Sequence, residues 1–207
     1  MTISYEARNL GILTPATALP IHIKGTMLSE ASLYIFENHE ITIAVQQFTT
    51  PDYAFIIKSF NTTQPVELIT QLNTKTWLWQ GVLDGEKINT NSLQHKGAIV
   101  KNQLLISPLT NHKYKTTLQF PGSYTIIEIL VTENLFSQFK NLFPSLAKYA
   151  PEQTVSIDTD LHEYIRSIRS ARMSGNLWHY LIEARIKDIL FHTGAKIVDA
   201  VRNNNQI

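Results

Sequence analysis

The sequence contains no cysteine. That absence removes disulfides, thiolate nucleophiles, iron–sulfur clusters and Cys-ligated zinc together. Glycine is also sparse, at 8 of 207 residues. Neither GxxxxGK followed by Ser or Thr nor GxGxxG occurs, so no phosphate-cradling loop is written in the chain. No apolar run approaches the roughly 18 residues that a membrane span needs. The opening residues Met1 to Arg8 lack the basic start and apolar stretch of a secretory leader, so a cytoplasmic location is expected, with no membrane contact. Charge of one sign is missing too. The formal net charge is +1, and Lys and Arg are scattered among acids, which argues against a nucleic-acid surface on this chain.

What remains is an ordinary globular composition, 43% apolar and 17% charged, long enough to bury a core. From about Pro20 to Val131 the apolar residues recur with period two. Ile41, Ile43 and Val45 alternate with Thr42, Ala44 and Gln46. Residues 37–40 separate this run from Leu33–Phe36 and predict a hairpin. Further strands are predicted over 53–60, 66–72, 76–83, 98–107, 113–120 and 124–131. Turns are expected at 61–65, at Asp84-Gly85, and at Pro121-Gly122 as a hairpin joining the last two strands. Short strands at this spacing, without intervening helices, predict a barrel or sandwich.

At Val131 the period changes. Thr132 is a candidate N-cap for a helix carrying Phe136, Phe139 and Phe143 on one face and ending near Pro144. Asp158 or Thr159 caps a second helix, with Leu161, Tyr164, Ile165 and Ile168 in line. Ser174-Gly175-Asn176 breaks it. A third helix is expected from about Leu177 to Phe191, ended or weakened by Gly194. The fold class is therefore mainly β with C-terminal helices (α+β). The division is a barrel over 1–131 and a helical tail over 132–207.

Catalytic patterns are hard to find. The seven histidines show no HExxH. His22 is followed by Ile23 and Lys24, not by a second histidine two residues on. His39, His95 and His112 are expected in turns, and His162, His179 and His192 in the helical tail. No metal site and no cofactor follow from them. GxSxG is absent, and Gly122-Ser123 falls in an expected turn. Glu67, Asp84 and Glu86 are expected on the surface. Glu128, within Ile126–Leu130, would need a partner if buried, but strand alternation favours an outward position.

The tryptophans offer more. Trp77 and Trp79 are two apart and share a strand face. With Tyr53 and Phe55 on a nearby strand, they are candidates for lining a small-molecule pocket on the inner barrel wall, although large side chains also simply fill such interiors. The third helix is apolar around much of its circumference. Leu177, Trp178, Leu181, Ile182, Arg185 and Ile189 are candidates for a two-fold helical interface between copies, set against burial in the helix's own domain. Its opening residues are too apolar for a DNA-reading helix.

Three stretches carry a family resemblance. Lys101-Asn102-Gln103-Leu104-Leu105-Ile106-Ser107-Pro108 is similar to a late barrel strand. Phe120-Pro121-Gly122-Ser123-Tyr124-Thr125-Ile126-Ile127-Glu128-Ile129, with Leu142-Phe143-Pro144-Ser145-Leu146 after it, is similar to a final hairpin and its helix. Ser174 to Leu190 is similar to the helix that precedes a DNA-binding domain. Together they resemble the N-terminal regulatory half of AraC-type transcription regulators. The resemblance implies a cupin-like, jelly-roll effector-binding barrel, a dimerising tail forming a homodimer through the C-terminal helices, and a small-molecule effector. DNA contact would come only through a C-terminal pair of helix-turn-helix units that this sequence does not contain. No enzyme activity is implied. The alternatives are a metal-independent cupin-fold enzyme, which an inward-facing Glu67, Glu128 or His22 would favour, and a domain that only dimerises.

Overall fold

The computed structural model describes residues 1–92, 95–109, 112–143 and 154–204. Pro144 and Leu146 lie outside them. Two antiparallel sheets face one another, as the period-two reading predicts. The larger, eight-stranded sheet runs in the order β14(Thr154–Ser156), β11(Gln103–Leu109), β8(Thr76–Asp84), β13(Gly122–Thr132), β6(Tyr53–Thr62), β5(Ile41–Thr49), β4(Ser32–Glu37), β3(Thr14–Ala16). The smaller, six-stranded sheet runs β10(His95–Val100), β9(Lys87–Ser92), β12(Lys113–Leu118), β7(Val66–Leu72), β1(Ile3–Ala7), β2(Gly11–Ile12). The C-terminal helices are α1(Glu133–Leu142), α2(Thr159–Ser170) and α3(Gly175–Asn204). This is a two-sheet β-barrel followed by helices.

The β4–β5 hairpin forms where expected. Asn38 Oδ1 accepts from the N–H groups of Glu40 and Ile41 at 2.9 and 2.8 Å, which closes the turn. Other turns act differently from the sequence expectation. Pro121-Gly122 does not make a hairpin, because β12 pairs with β7 and β9 while β13 pairs with β6 and β8. The turn carries the chain from one sheet to the other. Asp84-Gly85 makes the same kind of crossing, with Gly85 at φ +102°. The single strand expected over 98–107 divides into β10 and β11 around Asn102, at φ 61°. Its halves pair in opposite sheets, which a straight strand could not do. This also places His95 in a strand rather than a turn. Strands β1 to β3, β9 and β14 are additional to the sequence reading.

The sheets enclose one core between them, built from Ile43, Ile56, Phe60, Leu68, Leu78, Val82, Ile126 and their neighbours. A second core lies on the opposite face of the larger sheet, under the helices. Several strands of that sheet are therefore buried on both faces. Every residue of β5 from Ile41 to Phe48 is buried.

Both predicted N-caps are present. The Thr132 hydroxyl accepts from the Leu135 N–H at 3.5 Å, and Asp158 Oδ1 from the Leu161 N–H at 3.0 Å. Leu161, Ile165 and Ile168 form the buried face of α2. Helix α3 passes through Gly194 without a break. A side chain there would meet the rings of Phe139 and Phe143 at 3.1 Å, so this glycine permits close approach of α1 rather than ending the helix. At the other end of α3, Glu30 caps from a distance. Its carboxylate accepts from the Gly175 N–H and lies 2.9 Å from His179 Nε2. Those two partners hold the Glu30 carboxyl below its ordinary value.

Asp158 ties the helical hairpin together. Its Oδ2 lies 2.9 Å from His192 Nε2 and 2.5 Å from Lys196 Nζ, both on α3. Partial burial would raise its carboxyl, but the bonds from Lys196, the Leu161 N–H and His192 outweigh this and hold it well below the usual carboxylate range. A carboxyl lowered on folding stabilises the protein above its unfolded pKa, about 4, and loses that contribution as acid protonates it. Asp158→Asn keeps the cap and loses the ion pairs, whereas Asp158→Ala loses both. In urea unfolding at pH 7, the alanine variant is expected to be less stable than the asparagine variant by about 1 kcal/mol. The gap between wild type and Asp158→Asn is expected to shrink in high salt.

Candidate functional site

The inner faces of the two sheets meet at a polar cluster that the sequence reading did not anticipate. In β6, Ala54, Ile56, Lys58 and Phe60 face the interior. In β13, Ile126, Glu128 and Leu130 do so. The register sets Glu128 opposite Ile56 and opposite Gln80 of β8, which makes Lys58 its diagonal neighbour. From the smaller sheet, Tyr5, Thr70 and Tyr114 stand in one row across β1, β7 and β12. The inward position of Glu128 corrects the expectation that it faces outward. The alternation holds, but both faces of β13 are buried, so neither face offered it water.

Lys58 and Glu128 have no exposed side-chain surface and pair at 2.7 Å. The Lys58 ammonium also donates to Thr70 Oγ1 at 2.8 Å and to Tyr114 Oη at 3.3 Å, which uses its three protons. Its charge lies 4.7 Å from the Tyr114 ring centroid. Glu128 Oε1 accepts from Lys58 and, at 2.6 Å, from Gln80 Nε2, while Oε2 accepts from Tyr114 Oη at 2.5 Å. Gln80 reaches on to Thr116 Oγ1 at 3.2 Å and accepts from the Thr90 hydroxyl. Tyr5 Oη donates to Gln47 Oε1 at 2.7 Å. Burial lowers the pKa of Lys58, and attraction to Glu128 opposes that shift. Burial, then the Glu128 charge, raises Tyr5 and Tyr114 well above the ordinary phenol value, so both keep their protons and act as donors. The network joins strands of both sheets and leaves neither charge unpaired.

The aromatic candidates lie elsewhere. Trp77, Trp79, Tyr53 and Phe55 share a sheet face, as predicted, but it is the outer one and not the inner barrel wall. Trp77 stacks on Phe136 of α1 at 3.9 Å between centroids. Trp79 Nε1 donates to Thr193 Oγ1 of α3 at 3.1 Å. Tyr53 lies 6.4 Å from Phe48, which meets Trp178 edge-on at 6.1 Å. Burial, followed by nearby Glu183 and Asp52, raises the Tyr53 phenol strongly.

The interface candidates divide in the same way. Trp178, Ile182 and Ile189 are fully buried against the chain's own sheet, so they present nothing to a second copy. Leu181 and Arg185 are half-buried. Leu177 is 68% exposed and shares its face with Tyr180 at 68% and Phe191 at 56%, two residues the sequence reading did not single out. Their spacing of three and eleven residues is the signal that would have found them. Of the other carboxylates, Glu67 is bound by Arg8 at 3.1 Å and Lys115 at 3.0 Å at the surface, and His22 is exposed. Among the described residues, no three His, Asp or Glu side chains converge in a way that could hold a metal ion.

No protein-family model and no curated protein sequence matches the chain. Among solved structures, the AraC-like transcriptional activator CuxR aligns with a TM-score of 0.54 at 10% identity, covering 87% of this chain and 60% of that protein. The chain shares that activator's fold. At this identity the likeness is one of fold alone, and the chain spans 60% of the activator's length. Cupin structures are matched more distantly, over about half of this chain. The Schizosaccharomyces pombe Cnp3 cupin domain has a TM-score of 0.37 at 12% identity, covering 52% of this chain and 74% of that one. KdgF from Halomonas sp. has 0.34 at 12% identity, covering 48% and 89%.

Breaking the buried pair tests its energetics. Glu128→Gln leaves the Lys58 ammonium without its counter-charge and is expected to cost about 3–5 kcal/mol in chemical denaturation. The double change Lys58→Met with Glu128→Gln removes both charges and is expected to recover much of that loss. A double variant less stable than Glu128→Gln would contradict the compensation described here.

Proposed function

We propose that this chain is the effector-sensing and dimerising part of an AraC-type transcription regulator, located in the cytoplasm and without a catalytic step of its own. The observation that carries the reading is the docking of α3 on the barrel. Trp178, Ile182, Ile186 and Ile189 bury one side of this 30-residue helix against the larger sheet. The bond from Trp79 to Thr193 pins it there, and Thr193 is held in turn by the carbonyls of Ile189 and Leu190 at 2.8 and 3.0 Å. A ligand that favours one arrangement of the sheet therefore biases the helix that leads out of the domain, by as much as its affinity differs between the two arrangements.

The outward side of the same helix serves the homodimer. Leu177, Tyr180, Ala184 and Phe191 form an exposed stripe beside the Glu183–Lys187 pair. Two such stripes related by a two-fold axis are self-complementary. DNA would be reached only through a domain following α3. The inward Glu128 is what favours an enzymatic barrel, but a general acid or base must come within bonding reach of its substrate. Here the carboxylate and its lysine have no exposed surface and their bonds are taken.

The gene downstream of the Ile207 codon tests the reading. Two helix-turn-helix patterns with a basic recognition helix are expected there. An immediate stop codon would overturn the regulator and leave a stand-alone barrel. The dimer has its own check by sedimentation. The chain is expected to sediment as a dimer, and Leu177→Glu with Tyr180→Glu as a folded monomer. An unmodified chain that stays monomeric at high concentration would remove the dimer.

A further inference from the structure

One face of α2 and the loop before β4 enclose an open groove of about 530 Å³. That volume is in the range of small-molecule sites. Its walls are chemically unequal. Arg166 and Arg169 project from α2 and Arg172 from the segment that follows it. Gly25 and Thr26 stand opposite, and Leu83, at the end of β8, forms an apolar side with buried Ile165. The loop is fastened to the helix by the Thr26 hydroxyl, which donates to the Arg169 carbonyl at 3.4 Å. Gly25 has φ +146° and no atom within 4 Å of where a Cβ would stand, so its backbone borders open space.

The charge balance decides what such a groove accepts. Glu163 lines it and pairs with Arg166 at 2.6 Å, which cancels one guanidinium. His162 also lines it. Among the described residues, no carboxylate lies within ion-pair distance of Arg169 or Arg172. The C-terminal end of α2 adds only about half a negative charge. The groove therefore keeps a surplus of more than one positive charge, carried by groups whose planar fork suits two phosphate oxygens at once.

We infer that this groove binds a phosphate-bearing small molecule, with the phosphate on Arg169 and Arg172 and the rest of the ligand against Leu83 and Ile165. The site lies outside the barrel interior, at the junction of the β3–β4 loop, the end of β8 and the α2–α3 hairpin. A ligand seated there touches the barrel and the helical tail together. Its regulatory consequence rests on the sensor reading above, whereas its existence as a site does not.

Calorimetry on the 207-residue chain, with inorganic pyrophosphate and ribose 5-phosphate as probes in constant chloride, tests the inference. Saturable binding is expected, weakened at least about tenfold in Arg169→Gln with Arg172→Gln and unchanged in Arg8→Gln, an exposed arginine in the turn after β1. Stronger binding of ribose 5-phosphate would mark an organic phosphate as the ligand, and stronger pyrophosphate binding a free one. Both outcomes support the site. No saturable binding of either probe would overturn it. So would a labelled DNA duplex that binds through the same two arginines and displaces the probes, since the groove would then serve nucleic acid. Hydrogen exchange of α3 separates the two readings. Binding that leaves α3 exchange unaltered keeps the site and counts against the sensor. Loss of binding removes the site and leaves the sensor to its own test.

Discussion

The pairing of Lys58 with Glu128 inside the barrel is the interaction around which the two sheets are arranged. Two charges with no exposed surface cost several kcal/mol each to desolvate. They persist only where the geometry supplies partners for every proton and oxygen. Here those partners come from both sheets: Gln80 from the larger, Thr70 and Tyr114 from the smaller. A slip of either sheet by one residue would turn half of these groups away and leave a buried ion unpaired. The network thus specifies one mutual placement of the sheets, which apolar packing alone, being non-directional, specifies less sharply.

With the interior closed around that network, the outer face of the larger sheet is where the barrel meets its helical tail. It is covered by helices rather than by water. Trp77 on Phe136, Trp79 on Thr193 and Phe48 on Trp178 are contacts between sheet and tail, not the lining of a chamber. Asp158 and Glu30 add polar ties to the same helices. The groove bounded by α2 and the loop before β4 belongs to this junction as well. The contacts that hold the tail to the barrel are thereby concentrated on one face of the larger sheet.

Much of the local structure was legible because its causes are local. Thr132 and Asp158 cap their helices through their own side chains, and Asn38 closes its hairpin within three residues. Leu161, Ile165 and Ile168 repeat at helical spacing and are buried together. Local signals mislead where the cause is distant. Gly194 looked like a helix end, but its role is set by Phe139 and Phe143 more than fifty residues earlier in the chain. Pro121-Gly122 carries a turn signal that is the same for a hairpin and for a crossing between sheets.

By itself, the sequence determined the succession of a strand-rich part and a helical part, two helix caps and which residues share a face, since alternation and the 3.6-residue period are properties of the backbone. It also excluded thiol and phosphate-loop chemistry. Only the tertiary structure decided which face is inside. A strand buried on both faces is apolar on both, so its pattern does not distinguish the barrel interior from the helix-covered side. For that reason the spacing groups Trp77 with Trp79 but does not say that their face is the helix-covered one, and alternation does not reveal that Lys58, seventy residues away, holds Glu128 at the centre of the barrel.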